Sequence, residues 1–156
     1  MAATNRAQEL KNDTKEFITT ALLQMLKKET LSALTVSQVC KRAGVSRMAF
    51  YRNFKGLEQI LYEYYQPKMS DVFKSIRQES LFSTKYTVQL QFFSAFGDSL
   101  RISIDHGFEP IIQQIFIEEI TWFYSDNQDE YLTAFMAAGV YAIWRKWLVE
   151  GQQKPL

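Results

Sequence analysis

Apolar residues recur along most of this chain at spacings of three and four, and strand-like alternation is rare. Phe17, Ile18, Ala21, Leu22, Met25 and Leu26 form the stripe of an amphipathic helix over residues 14–28, with Thr14 or Asp13 as its cap. A polar break, KETLSAL, follows. Thr35 and Gln38 then have the spacing of a capping box, in which each side chain satisfies a backbone amide of the other. Val36, Val39, Cys40 and Ala43 make one narrow apolar face, and Gly44 ends this helix after two turns. Ser46 caps the next helix, which runs to about Asn53. A longer helix is predicted from Leu57 to about Gln78, kinked at Gln66–Pro67. LFSTK reads as a loop. Helices over 85–105 and 109–124 flank HGFEP, where Gly107 suits a stop and Pro110 a first helical position. Asp126 or Asn127 caps a last helix that runs to Glu150, with Gly151 as its stop. The expectation is an all-α chain: a three-helix head over residues 1–56, then a short antiparallel helical bundle over 57–156.

The two short helices around Gly44 have the pattern of a helix-turn-helix. Close packing at a steep angle demands a small residue where they approach, and Cys40 supplies it. Val39, Val45, Phe50 and Phe54 fill the wedge. With Phe50 and Phe54 inward, Arg47, Met48, Tyr51, Arg52 and Lys55 fall on the outer side.

Charge sharpens this picture. The net charge of +1 hides a division: residues 1–66 hold ten Lys/Arg and six Asp/Glu, 10 − 6 = +4, and residues 67–156 hold eight and eleven, 8 − 11 = −3. Lys41, Arg42, Arg47, Arg52 and Lys55 crowd residues 41–55 without an acid. Such a surface suits a polyanion. In a major groove an Arg reads guanine O6 and N7, a Met touches a thymine methyl, and Tyr and Lys hold phosphates. The Ser46 hydroxyl and the open amides at the helix start suit a phosphate oxygen. The competing reading of Tyr51 is a half-buried ring, that of Met48 plain exposure, and Cys40 reads as a small core residue.

The stretch LTVSQVCKRAGVSRMAFYRNFKGLEQIL resembles the DNA-binding domain of the TetR (tetracycline repressor) family of bacterial transcription regulators, over about residues 12–66. The resemblance is carried by Thr35, Ala43, Gly44, Val45, Ser46, Tyr51, Phe54 and Leu61. It departs where Met48 replaces a common Gly, Ala49 a common Thr, and Leu57 a Lys that grips phosphate; Arg52 and Lys55 are the expected compensation. It implies a homodimer on a near-palindromic double-stranded operator, with Ser37, Arg47, Met48, Ala49, Tyr51 and Arg52 near the DNA; Thr35, Ser46 and Lys55 complete the expected DNA-binding set. Half-sites would then lie about one DNA turn, roughly 34–36 Å, apart.

The second half carries no catalytic constellation. One His, one Cys, no Gly-rich phosphate loop and no close carboxylate pair with a candidate partner leave no expected enzyme activity, cofactor or metal. His106 reads as a loop residue and Glu118–Glu119 as a solvated face. Aromatic and aliphatic residues dominate. By the resemblance, this bundle senses a small apolar or amphipathic effector that releases a repressor from DNA, and the helix from Leu57 is the lever. A candidate pocket draws on Phe92, Phe96, Phe116, Ile120 and Tyr141. The last helix is apolar on more than one side, so Phe135, Met136, Val140, Ile143, Trp144 and Trp147 are expected at a dimer interface. The alternative keeps the DNA-binding head but gives the bundle a partner protein to dock, with no effector. A polar N-terminal stretch, a lone Cys and the lack of an apolar run of membrane-spanning length point to the cytoplasm and away from a membrane.

Overall fold

The computed structural model describes residues 2–79, 96–125 and 129–151. Among these residues there are helices, turns and irregular links and no strand. The helices are α1 (Ala2–Met25), α2 (Val36–Ala43), α3 (Arg47–Tyr51), α4 (Leu57–Glu79), α5 (96–105), α6 (Glu109–Phe123) and α7 (Glu130–Val149), with a 3-10 turn at Leu31–Ala33. The fold class is the all-helical one expected.

Two compact units divide the chain. One holds residues up to Tyr64 together with His106–Phe108; the other holds Tyr65–Asp105 and the chain from Glu109 onward. The division falls inside α4, between Tyr64 and Tyr65, and not at its start, the boundary expected from the pattern of apolar positions.

In the first unit α1 packs on α2 and α3. It begins at Ala2, well before the expected caps Asp13 and Thr14, because the Ala, Gln, Glu, Leu and Lys of the leading stretch favour helix without an apolar stripe. It ends with Lys28 N–H and Glu29 N–H both donating to the Met25 carbonyl, at 3.0 and 3.1 Å. The buried stripe centres on Ile18, Ala21, Leu22 and Leu26 and leaves Phe17 59% exposed, contrary to expectation. One helical step from Ile18 carries Phe17 past the margin of the stripe. The KETLSAL break is less polar than it reads, since Leu31 and Leu34 are both buried. Leu31 N–H donates to the His106 carbonyl at 2.8 Å, and His106 Nδ1 lies 3.2 Å from the Glu29 carbonyl. The sole histidine is therefore a turn residue, as expected, and its ring meets a backbone carbonyl.

In the second unit Tyr65, Met69, Phe73 and Ile76 of α4 are buried at helical spacing. α4 is not ended at Pro67, which lies inside it with its ring exposed. α6 starts at Glu109, with Pro110 second, and packs on α7. Glu109 at the start of α6 binds Arg145 near the end of α7, so these two helices run antiparallel. Phe116 stacks on Trp144 at 5.1 Å and meets Tyr141 edge-on at 5.5 Å. Gly107 and Gly151 both adopt the left-handed conformation at helix ends, as expected. The cap of α7 is Asp129, whose carboxylate accepts from Tyr131 and Leu132 N–H at 3.0 Å. The expected caps Asp126 and Asn127, like the LFSTK loop, lie outside the described residues. Glu119 is a correction: only Glu118 is solvated, while Glu119 is 6% exposed and accepts from Gln66 Nε2 at 3.1 Å. It sits on the side of α6 that also buries Ile112, Ile115 and Phe116.

Candidate nucleic-acid interface

Local interactions fix α2 and α3 at both ends. The capping box is formed: Thr35 N–H donates to Gln38 Oε1 at 2.8 Å, and Thr35 Oγ1 accepts from Gln38 N–H at 3.3 Å. Thr35 Oγ1 also lies 2.7 Å from Gln38 Oε1, so its hydroxyl proton is committed to the cap. Gly44 takes φ 69°, and its N–H and that of Val45 satisfy the carbonyls of Lys41 and Cys40. Ser46 Oγ accepts from Ala49 N–H at 3.1 Å and starts α3 at once. α3 stops at Tyr51, two residues before the expected Asn53, where Asn53 Nδ2 closes the turn on the Ala49 carbonyl at 2.8 Å.

The inner side of this motif is dry. Val39 and Phe50 are 0% exposed, and Cys40 and Phe54 are 3% exposed. Val45 contributes from a half-buried position. Burial pushes the Cys40 thiol up from its ordinary range, with the charge of Arg47 acting in the opposite direction. A neutral, enclosed thiol fits a packing role. Two contacts brace the motif. Arg42 donates through Nε and Nη2 to Gln24 Oε1 at 3.1 and 2.8 Å, so one member of the basic stretch is drawn onto α1. Lys15 forms a 2.7 Å ion pair with Glu63 and sits 5.1 Å over the Phe54 ring.

The outer side is as predicted. Ser37, Ser46, Arg47, Arg52 and Lys55 are exposed, Met48 is 68% exposed and Tyr51 is 53% exposed. Ala49 is half-buried, and its amide is the one held by Ser46. Arg47 reaches back so that its guanidinium carbon lies 6.0 Å from the centroid of the Tyr51 ring. Lys55 N–H is capped by Gln59 Oε1 at 2.7 Å, which leaves the ammonium outward. Lys41, expected in the basic cluster but not in the DNA-binding set, is exposed and follows Ser37 by one turn on the same side of α2. That i, i+4 spacing was available in the sequence. The Gln24 brace had no such signal, because it joins residues far apart in the chain.

The candidates in the second unit separate differently. Phe92 lies outside the described residues. Phe96, Phe116, Ile120 and Tyr141 are all buried, and Phe116 and Tyr141 touch. The Tyr141 hydroxyl donates to Glu109 Oε1 at 2.9 Å, and its pKa rises through burial and this bond. Arg145 binds both oxygens of Glu109, and its hydrogen bonds hold that carboxyl below the usual range. A cleft of about 340 Å³ in this unit is lined instead by Arg101, Ile104, Asp105, Leu148, Val149 and Gly151. Among the expected interface residues, Phe135 is 71% exposed and Ile143 is 59% exposed, while Met136, Val140 and Trp147 are half-buried. Trp144 is a correction, being 0% exposed. It falls on the inner stripe with Thr133, Ala137, Tyr141 and Leu148 and is used up by its stack on Phe116. Tyr131, 90% exposed, extends the outer apolar side instead. No helix among the described residues is long and apolar enough to cross a membrane.

Residues 18–64 match the family described as bacterial regulatory proteins, tetR family. The matched segment runs from the buried stripe of α1 through α2 and α3 into the start of α4, the region whose caps, glycine turn and cationic face are set out above. No curated protein matches the chain. Over these residues the chain is therefore similar to the N-terminal helix-turn-helix head of tetR-family regulators.

Proposed function

We propose that the chain represses transcription by binding a near-palindromic double-stranded operator as a homodimer, with α3 of each copy in a major groove. The observation that carries this reading is the exposed, acid-free face of Arg47, Met48, Tyr51, Arg52 and Lys55, held outward by buried Phe50 and Phe54. Arg47 reads a base edge, Met48 contacts a thymine methyl, and Arg52, Lys55, Ser37 and the hydroxyl proton of Ser46 hold phosphates. Thr35 and Ala49 serve the interface through the caps that place their neighbours. The apolar outer side of α7, with Tyr131, Phe135 and Ile143, supports self-association. The aromatic interior around Phe116 and Tyr141 is the region where a small apolar or amphipathic effector would act. An effector that prefers a non-binding conformation lowers the DNA-competent fraction by mass action.

The test is direct binding to duplexes enriched from a random pool by the full chain. Arg47→Ala is expected to weaken the enriched duplex by about 1–3 kcal/mol and random duplex far less. Lys55→Ala should weaken both alike and flatten the salt dependence by about one unit of slope per copy. Duplex binding that ignores salt would sink the reading. A second reading gives α7 a partner protein and the bundle no effector. The same exposed side favours it, and a chain that stays monomeric at high concentration would select it.

A further inference from the structure

A stack of three side chains runs from the core of the first unit to the outer face of α3, and the reading above gives its middle ring, Tyr51, no role of its own. Phe50 is fixed in the core of the first unit. The Tyr51 ring meets it edge to face, with centroids 5.3 Å apart and planes at 81°. One turn earlier, the Arg47 guanidinium carbon lies 6.0 Å from the Tyr51 centroid, at the outer limit of a cation–π contact. No carboxylate among the described residues pairs with Arg47. An exposed arginine with no such partner samples many rotamers, and ordering it against a base opposes binding. A planar guanidinium laid along an aromatic ring has already lost part of that freedom and keeps its donors for a guanine edge.

We propose that Tyr51 is a positioning residue for Arg47: its ring, held edge-on by buried Phe50, is the platform that aims the guanidinium, so Tyr51 governs sequence discrimination through Arg47. This rests on α3 being the recognition helix. It differs from a phosphate contact by the Tyr51 hydroxyl, which would strengthen binding to every duplex equally. It also differs from simple packing, because a packing role has no reason to change the ratio between two DNA sequences.

The experiment uses the full chain, an enriched duplex and a scrambled one, with dissociation constants from fluorescence anisotropy at fixed salt. The proteins are wild type, Tyr51→Phe, Tyr51→Leu, Arg47→Ala and the Arg47→Ala/Tyr51→Leu double variant, each checked by circular dichroism. Tyr51→Phe keeps the ring and is expected to preserve the wild-type ratio between the two duplexes. Tyr51→Leu removes the platform and should lower that ratio by roughly 3- to 30-fold, the range of a cation–π contact. In the Arg47→Ala background the same change should have no further effect on the ratio. The inference is overturned if Tyr51→Phe loses as much discrimination as Tyr51→Leu. It is equally overturned if Tyr51→Leu weakens both duplexes alike, or if the two changes are additive. A wild-type chain that binds no duplex in a salt-dependent way removes the α3 reading itself, an outcome distinguishable from the others before any variant is compared.

Discussion

Gly44 shows how much one residue decides. Its φ of 69° lies in the left-handed region, and nothing stands within 4 Å of where a Cβ would be. Replacing it with Ala should therefore act through the backbone alone, costing about 1–2 kcal/mol. Chemical unfolding of Gly44→Ala measures this. Phe50, fully enclosed in the wedge, is the opposite case: Phe50→Ala should cost about 3–5 kcal/mol by leaving a cavity and should disturb α3 as a whole. Both residues were legible in the sequence, because a turn that needs a positive φ and an i, i+4 pair of phenylalanines leave direct marks there. Phe17 and Trp144 were not. Each was assigned by counting apolar positions, and a single 100° step decides whether such a side chain faces the core or its margin.

At the scale of elements, the caps of α2 and α3 followed from short-range rules, and the structure places Thr35, Gln38 and Ser46 in those roles. The start of α7 did not follow, since Asp126, Asn127 and Asp129 all offer a capping carboxylate or amide and only tertiary packing chooses among them. Asp129→Ala should cost about 0.5–2 kcal/mol, read as a lowered thermal midpoint. The tie between α6 and α7 adds a pH dependence. Hydrogen bonds from Arg145 hold the Glu109 carboxyl below its ordinary value, partly offset by burial and aided by Tyr141. A depressed carboxylate contributes stability above its unfolded pKa, roughly 4.3, and that stability is lost as pH falls through the lower folded value. Glu109→Gln should thus be less stable than wild type at pH 7, and the gap should close on titration into that acidic window. A gap that stayed constant with pH would contradict the assignment. Nothing in the sequence joined Glu109 to Tyr141 and Arg145, because the pairing exists only once α6 and α7 lie antiparallel.

For the whole molecule, the head was the readable half. Its signals are local, and the family match over residues 18–64 covers the same ground. The bundle was readable only as helices with apolar faces, since which face meets which neighbour depends on packing among distant segments. The buried Glu119, taken in the sequence for a solvated acid, shows the difficulty: its partner Gln66 lies on another helix. If α7 joins two copies, Phe135→Asp should shift the chain toward monomer in sedimentation and weaken operator binding together. The two readouts should move in step, because one copy engages only one half-site. Loss of operator binding with the assembly intact would place the effect elsewhere than in self-association.

Pro67 sets a further expectation for α4. A proline has no amide hydrogen, so the ladder of α4 lacks the rung that would reach the Glu63 carbonyl. That gap lies beside Tyr64 and Tyr65, where the two compact units part. Deuterium uptake should accordingly be faster through residues 63–67 than in the turns on either side, making this the place where α4 first breathes.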